Sequence, residues 1–220
     1  MKYKGAIFDM DGLMLDTERL HCEFWIKAAA EYGYTLRMQD LIAARGMSGE
    51  TALRHFKTCY GEDFDYKTIH ARRNELFFAY CDEVGVQKKK GVGELLACLK
   101  ERGLRLALAT SNIPAHSETE LRRAGLWDFF DARVYGPMVA HSKPAPDIFL
   151  LACEKLALAP QDCFVFEDST NGIKAAAAAG CAPVMVPDLL PADEEMRALA
   201  MTVQPDLLAV RDYLLAHELV

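Results

Sequence analysis

The stretch FDMDGLMLDTE, residues 8–18, places three aspartates directly behind the short apolar run of residues 5–8. An apolar run of this length predicts a buried strand, with Asp9 and Asp11 at its carboxyl end. Like charges this close repel one another: two carboxylates about 4 Å apart, at an effective dielectric constant of about 20, cost roughly 4 kcal/mol. A core strand that ends in such a cluster needs positive partners from elsewhere.

Apolar runs and helical patterns alternate along the rest of the chain. Five apolar runs predict buried strands, at residues 4–8, 104–109, 132–135, 163–166 and 183–186. Helical patterns lie between the later runs, at residues 92–102, 115–124, 147–156 and 172–179. Continuously apolar strands that alternate with helices are typical of a parallel sheet covered on both faces. We therefore predict an α/β fold with a Rossmann-like parallel sheet.

The segment between the first strand and Gly91 has a different pattern. Residues 17–85 contain only helical patterns, with enough aromatic residues for a small core of their own. One apolar face has i, i+3, i+4 spacing from His21 to Tyr32. We predict an inserted all-helical domain at residues 17–85 and an α/β core formed by residues 1–16 and 86–220.

The composition excludes some classes of partner. The net charge of −7 disfavours nucleic acid, since proteins that bind it carry basic patches. No apolar stretch approaches the roughly 20 residues of a membrane span. The seven cysteines form no CxxC pair, which predicts buried free thiols and a cytoplasmic location. The basic run at residues 88–90 is expected in a solvated turn, and the chain is expected to be a monomer or weak dimer.

Polar side chains with a common chemistry follow the predicted strands. Ligands of open parallel sheets bind at the carboxyl ends of the strands. These ends and one loop carry Asp9, Asp11, Thr110, Ser111, Asn112, Lys143, Glu167 and Asp168. Carboxylates, hydroxyls and one ammonium at a single edge suit a phosphate held beside a hard cation. Mg²⁺ prefers such oxygen ligands, so the sequence predicts a magnesium and phosphate site.

The same residues also have purely structural interpretations. Asp9 and Asp11 resemble part of a calcium loop, but an EF-hand needs glycine at its sixth position, and Gly12 is the fourth residue from Asp9. Lys143 on its own would be a solvated surface lysine. Ser169 is expected to be a helix N-cap only.

Four motifs occur in a fixed order: DxDGxxxDT from residue 9, TSN from residue 110, KPxPDIF from residue 143 and EDSxNG from residue 167. In this order they resemble the haloacid dehalogenase superfamily of phosphohydrolases. The resemblance covers nearly the whole chain. It is strongest to the subgroup of β-phosphoglucomutase and small-molecule phosphatases, in which residues 17–85 would form the helical cap domain.

The resemblance implies a role for each carboxylate. Asp9 would be the nucleophile that forms an aspartyl phosphate. Asp11 would protonate the leaving oxygen and then take a proton from water. Mg²⁺ would be held by Asp9, the backbone carbonyl of Asp11 and Asp168, with Glu167 beside it.

The remaining core motifs would bind the phosphate. Thr110, Ser111 and Asn112 would donate hydrogen bonds to the phosphoryl oxygens, and Lys143 would neutralise charge that develops during transfer.

The predicted cap departs from the resemblance in part. His21 begins an apolar helix face, so it could be a packed core residue. The resemblance instead implies a histidine that assists the reaction at the interface between cap and core, and both interpretations stay open. Arg45 and Gly46 resemble the start of a cap loop that reaches the substrate. Where the mutase has an arginine that holds the second phosphate, this chain has Gly49, which has no side chain. The neighbouring Glu50 is negatively charged and would repel a phosphate.

The resemblance therefore implies a Mg²⁺-dependent phosphatase that acts on small phosphorylated metabolites, such as sugar or nucleoside phosphates. A mutase must hold a bisphosphate in two orientations, so Gly49 disfavours the alternative of a phosphohexomutase of the β-phosphoglucomutase type. A non-catalytic phosphometabolite-binding module is an alternative of another class, although every motif position keeps its reactive side chain. The sequence does not identify the substrate.

Overall fold

A six-stranded parallel sheet forms the centre of the fold. The computed structural model describes residues 3–44 and 49–220. The strands lie in the order β3-β2-β1-β4-β5-β6, so the first strand is in the middle. Their bounds are β1 Gly5–Phe8, β2 Arg105–Thr110, β3 Ala132–Tyr135, β4 Cys163–Glu167, β5 Ala182–Met185 and β6 Thr202–Val203.

Helices follow and separate the strands. Four of them lie between β1 and the rest of the core: α1 Glu18–Glu31, α2 Met38–Ala43, α3 Gly49–Tyr60 and α4 Tyr66–Val84. The others are α5 Val92–Glu101, α6 Pro114–Arg123, α7 Asp147–Leu156, α8 Thr170–Ala178, α9 Glu194–Leu199 and α10 Leu207–Ala216. Short 3₁₀ helices occupy Trp127–Phe129, Gly136–Met138 and Pro160–Asp162.

Both faces of the sheet are buried. Successive side chains of a strand point to opposite faces. Phe8 therefore packs in the apolar cluster that includes the leucines of α5 and α10. Ile7 packs in a second cluster with residues of α7 and α8. Burial of a large apolar side chain contributes about 1.5–3 kcal/mol, which explains why these strands are apolar along their whole length.

Helices α1 to α4 share an apolar cluster of their own. Trp25 stacks on Phe56 with ring centroids 4.7 Å apart, and Phe56 stacks on Phe64 at 5.4 Å. The apolar face predicted for α1 is less buried at its two ends than the sequence suggested. Tyr32, which ends the helix, is 45% exposed, and His21 is only half-buried.

The predicted α/β fold is confirmed, and the five predicted strands agree with the observed ones to within one residue at each end. Strand β6 was not predicted, because two residues are too few for a periodic pattern. Helices α9 and α10 were also not predicted. In α10 the spacing of Leu207, Val210 and Leu214 does follow one helix face, so this helix had a readable signal.

The basic run at residues 88–90 is not simply solvated. Lys89 has a side chain only 25% exposed and pairs with Asp188 at 2.5 Å and with Asp16 at 3.4 Å. Lys90 pairs with Asp206 at 2.7 Å. The prediction of a solvated turn is therefore wrong for Lys89, because two separate acidic segments converge on it.

The cysteines are free thiols, as predicted. Five are buried, while Cys59 and Cys98 are half-buried. Within residues 3–44 and 49–220, no helix has the length and apolar character needed to cross a membrane.

Candidate active site

Asp9 and Asp11 lie immediately after β1, at the carboxyl edge of the sheet. The backbone N–H of Asp9 donates to the Phe166 carbonyl of β4 at 3.1 Å, so strand pairing fixes Asp9 beside the end of β4. The chain then turns at Gly12, with φ of +75°. A Cβ at Gly12 would lie 2.3 Å from Asp168 Oδ2. Glycine is therefore needed both for the turn and for the close approach of Asp168.

Lys143 joins the ends of β1 and β4. Its ammonium lies 2.6 Å from Asp9 Oδ1 and 2.6 Å from Glu167 Oε1, and its side chain is 3% exposed. Burial alone would lower the pKa of Lys143, but the two carboxylates outweigh burial and raise the pKa above its usual range. Lys143 is therefore held in its charged form.

The Asp9 carboxyl has an unusual electrostatic environment. Burial raises its pKa to about 8; Lys143 opposes this shift, whereas the charges of Glu167 and Asp11 add to it. One ammonium does not balance the three carboxylates of Asp9, Asp11 and Glu167. The site therefore favours a further positive charge near Asp9.

The donor set fits a divalent metal ion. Asp9, Glu167 and Asp168 are all buried, and each offers a carboxylate oxygen within 4.8 Å of the others. Oxygen-only ligands of this kind suit a hard cation. Protein donors already engage Glu167: its Oε2 accepts from the backbone N–H of Asp168 at 3.0 Å and of Ser169 at 2.9 Å. Ser169 is also the N-cap of α8, as predicted, and accepts from the N–H of Gly172.

Asp11 is held by a separate group of donors. Thr17 Oγ1 donates to Asp11 Oδ1 at 2.6 Å, and Asn112 Nδ2 donates to Oδ2 at 2.7 Å. Burial would raise the pKa of Asp11, but hydrogen bonds from His21 and Thr17 outweigh it and lower the pKa. Without a bound cation, Asp11 is therefore the more readily ionised of the two carboxyls.

His21 connects Asp11 to helix α4. Its Nε2 lies 3.4 Å from Asp11 Oδ1, and its Nδ1 lies 3.1 Å from Nη1 of Arg73. A guanidinium only donates, so Nδ1 accepts and the ring proton of neutral His21 is on Nε2, facing Asp11. The ring also packs against Phe77, with centroids 4.2 Å apart. Packing and contact with Asp11 therefore coexist at this residue.

The TSN motif lies at the end of β2. Thr110 is 1% exposed, and its Oγ1 accepts from the backbone N–H of Asn112 at 3.2 Å. Ser111 lines the cavity in front of the carboxylates, as does Asn112. The Asn112 amide donates one hydrogen bond to Asp11 and keeps a second N–H, so its predicted contact with phosphate stays a prediction. Arg45 and Gly46 lie outside the described residues.

These residues surround a cavity of about 340 Å³ between the sheet edge and helices α1, α3 and α4. Three charged residues outside the predicted motifs also line it: Glu18 on α1, Arg73 on α4 and Glu120 on α6. Arg73 and Glu120 each have a buried atom without a partner among the described residues, Nε and Oε1 respectively. These two atoms are a donor and an acceptor beyond the predicted motifs.

A periodicity signal existed for Arg73. It lies at i+4 from Ile69 and at i−4 from Phe77, both apolar and buried on α4. Charged residues are rarely buried without a partner, so this position could have been singled out. Glu120 had no such signal, because its buried neighbour at i−3 is the polar Ser117.

Sequence and structure comparisons identify the family. Residues 6–186 match the family described as haloacid dehalogenase-like hydrolase. The phosphorylated carbohydrates phosphatase of Thermotoga maritima is 34% identical over 193 residues, covering 80% of this chain and 82% of that protein. β-Phosphoglucomutase of Bacillus subtilis is 30% identical over 183 residues, covering 80% of each. The crystal structure of CbbY from Rhodobacter sphaeroides in complex with phosphate has a TM-score of 0.82 at 27% identity, covering 94% of this chain and 96% of that chain.

The structural agreement with CbbY extends over nearly the whole chain, and the family match begins in β1 and ends just after β5. The carboxylates, hydroxyls and lysine that suggested the resemblance line one cavity or lie buried against it. The chain therefore belongs to the haloacid dehalogenase-like hydrolases, in their subgroup of small-molecule phosphatases and β-phosphoglucomutases, and is an enzyme of the phosphoric monoester hydrolase class.

Proposed function

We propose that this protein is a Mg²⁺-dependent phosphatase of small phosphorylated metabolites, such as sugar or nucleoside phosphates, and that it works through an aspartyl phosphate on Asp9. The observation that carries the proposal is the position of Asp9. It is buried, bound to Lys143 at 2.6 Å, grouped with Glu167 and Asp168, and open to the cavity.

The oxygen ligands of Asp9, Asp168 and the Asp11 backbone carbonyl would hold Mg²⁺, with Glu167 beside them. The ion would supply positive charge that keeps Asp9 ionised and balances the phosphoryl oxygens. This charge matters because burial otherwise raises the pKa of Asp9 to about 8.

The chain's own residues perform the transfer. A carboxylate oxygen of Asp9 attacks phosphorus, the bond from phosphorus to the leaving oxygen breaks, and that oxygen takes the proton that Asp11 would carry in the substrate complex. Water then attacks the same phosphorus, Asp11 takes a proton from the water, and inorganic phosphate leaves with Asp9 restored. Lys143 and Ser111 would stabilise the charge on the phosphoryl oxygens throughout.

Residues 17–85 would act as a cap over a core made of residues 1–16 and 86–220. Two contacts join α4 to α6 across the cavity. Phe78 packs on His116 with ring centroids 3.7 Å apart, and Arg123 pairs with Asp82 at 2.6 Å. Cap closure of this kind excludes water from the phosphoryl group until the leaving group has departed.

Mutase activity of the β-phosphoglucomutase type is the second candidate, favoured by the similarity to that enzyme. Gly49 lines the cavity at the start of α3 and has no side chain to hold a second phosphate. This feature favours hydrolysis. A protein that only binds phosphometabolites would use the same cavity but would release no phosphate.

The test measures phosphate release from p-nitrophenyl phosphate with Mg²⁺, with excess chelator, and for Asp9→Asn. We expect loss of nearly all turnover in the last two cases. Asp212→Asn, on the exposed side of α10, is the matched control. Full activity in chelator or in Asp9→Asn would contradict the mechanism. Faster formation of glucose 6-phosphate from β-glucose 1-phosphate, with added glucose 1,6-bisphosphate, than release of phosphate would favour the mutase.

A further inference from the structure

Glu120 is a buried carboxyl that the proposed mechanism does not use. It lies on α6, is 5% exposed and lines the cavity. Its Oε1 is shielded from solvent and has no hydrogen-bond partner among the described residues. A buried acceptor without a partner costs stability, so its presence in a cavity wall points to a ligand that supplies the missing donor.

Two arginines shape the electrostatic environment of Glu120, but neither bonds to its unpartnered Oε1. Arg123, on its own helix, pairs with Asp82 at 2.6 Å. Arg73, on α4, donates to His21 and to Asn74 through the same nitrogen. Asp11, after β1, also shapes the electrostatic environment of Glu120, but its carboxylate offers no donor.

We propose that Glu120 is a specificity-determining residue that accepts a hydrogen bond from a hydroxyl group of the substrate's leaving group. It thereby selects phosphate esters of polyhydroxy alcohols. This inference rests on the proposed phosphatase function and names the substrate class of the same site.

The unpartnered atoms of the cavity favour hydroxyl groups in particular. Glu120 Oε1 needs a donor, and Arg73 Nε needs an acceptor. A hydroxyl group can donate and accept, so a leaving group with several hydroxyls carries both kinds of partner. The aromatic wall that includes Trp25 and Phe77 offers an apolar surface to the C–H groups of the same sugar. Gly49, which also lines the cavity, offers no side chain to a second phosphate.

The experiment compares kcat/KM for two esters, fructose 1-phosphate and p-nitrophenyl phosphate, whose leaving group has no free hydroxyl. Glu120→Leu removes the acceptor, whereas Glu120→Gln keeps an acceptor oxygen and the shape. Glu118→Gln, on the exposed face of α6, is the matched control. We expect Glu120→Leu to lower kcat/KM for fructose 1-phosphate by about 10- to 100-fold, the usual effect of losing one buried hydrogen bond to a substrate. The rate with p-nitrophenyl phosphate should stay within about twofold, and Glu120→Gln should recover most of the loss.

Deoxy-sugar phosphates give the same test on the unaltered protein. Removal of the hydroxyl that meets Glu120 should cost about tenfold in the unaltered protein and nothing in Glu120→Leu. Thermal unfolding supplies a further readout, since loss of an unpartnered buried carboxyl should raise Tm.

Two sets of outcomes would overturn the inference. The first is that Glu120→Leu lowers kcat/KM equally for both esters, or for neither. The second is that the unaltered protein hydrolyses every deoxy-sugar phosphate as fast as the parent sugar phosphate. In those cases the proposed function would stand, because the unaltered protein would still hydrolyse both esters. Absence of hydrolysis of any ester by the unaltered protein would overturn the proposed function and this inference together.

Discussion

The ammonium of Lys143 lies 2.6 Å from Asp9 Oδ1, in a contact that is almost fully shielded from water. Lys143 reaches the same distance to Glu167, so one positive charge serves carboxylates from two adjacent strands. The arrangement places two carboxylates close together at the cavity. It also makes the stability of the core depend on the Lys143 side chain.

Replacement of Lys143 by Met should therefore destabilise the protein and abolish phosphate release. Removal of one partner from a buried ion pair costs about 3–5 kcal/mol, because the remaining charges are left uncompensated. Urea unfolding measures the loss, and Lys155→Met on the exposed side of α7 is the control. Mg²⁺ should restore part of the stability of Lys143→Met, since it supplies charge to Asp9. Unchanged unfolding midpoints would contradict the role assigned to Lys143.

Asp11→Asn should slow turnover by about 10²- to 10⁴-fold, the usual contribution of a general acid–base group. The affinity for Mg²⁺ should change little, because the proposed ligand is the backbone carbonyl. Titration of Mg²⁺ against the rate separates the two effects. A rate within a few-fold of the unaltered protein would show that another group transfers the proton.

His21→Ala should lower kcat by about 10- to 100-fold through Asp11, whose carboxylate it contacts, and should leave KM for p-nitrophenyl phosphate nearly unchanged. The double variant with Asp11→Asn distinguishes this role from packing. If His21 acts through Asp11, its loss should have little further effect once Asp11 is replaced. Additive losses in the double variant would instead indicate an independent, structural contribution from packing on Phe77.

The stability of the protein should depend on pH through Glu120. Burial, with a smaller contribution from Asp11, raises the pKa of Glu120 from 4.5 to about 8. Between these values the folded protein holds a proton that the unfolded chain has released, so the free energy of unfolding falls as pH rises, by at most about 1.4 kcal/mol per pH unit. Glu120→Gln should remove this slope, and its stability relative to the unaltered protein should grow from pH 5 to pH 8. Parallel curves for the two proteins, measured by urea unfolding, would refute the assignment.

The parts of the fold that the sequence predicts well are those that a local pattern determines. Strands β1 to β5 are short, apolar and separated by helical spacing, and the sheet follows from that alternation. Strand β6 contains two residues and forms only because Met201 and Gln204 bond back to β5, which no local pattern records.

The site residues also fall into those that the sequence predicts and those that depend on tertiary packing. Asp9, Lys143 and Glu167 follow strand ends or lie in a motif, so topology alone predicts that they meet. Arg73 and Glu120 lie within helices α4 and α6, and they reach the cavity because of how these helices pack in the fold. The sequence indicates that Arg73 is on a buried face, but the partner that faces it depends on tertiary packing.

The central position of β1 also has a consequence for the order in which the chain folds during synthesis. Gly5 pairs with Arg105 of β2 and with Cys163 of β4, so the first strand to be made depends on partners made much later. Helices α1 to α4 pack on one another within the continuous stretch 18–84, so they are able to fold before β2 and β4 have been made. Closing the longer loops between β1 and its partner strands is slow and costs entropy. Asp9 acquires Glu167 and Asp168 only when β4 is present. A nascent or prematurely ended chain therefore carries Asp9, the proposed nucleophile, without Glu167 and Asp168, and we expect it to release no phosphate until β4 has been made.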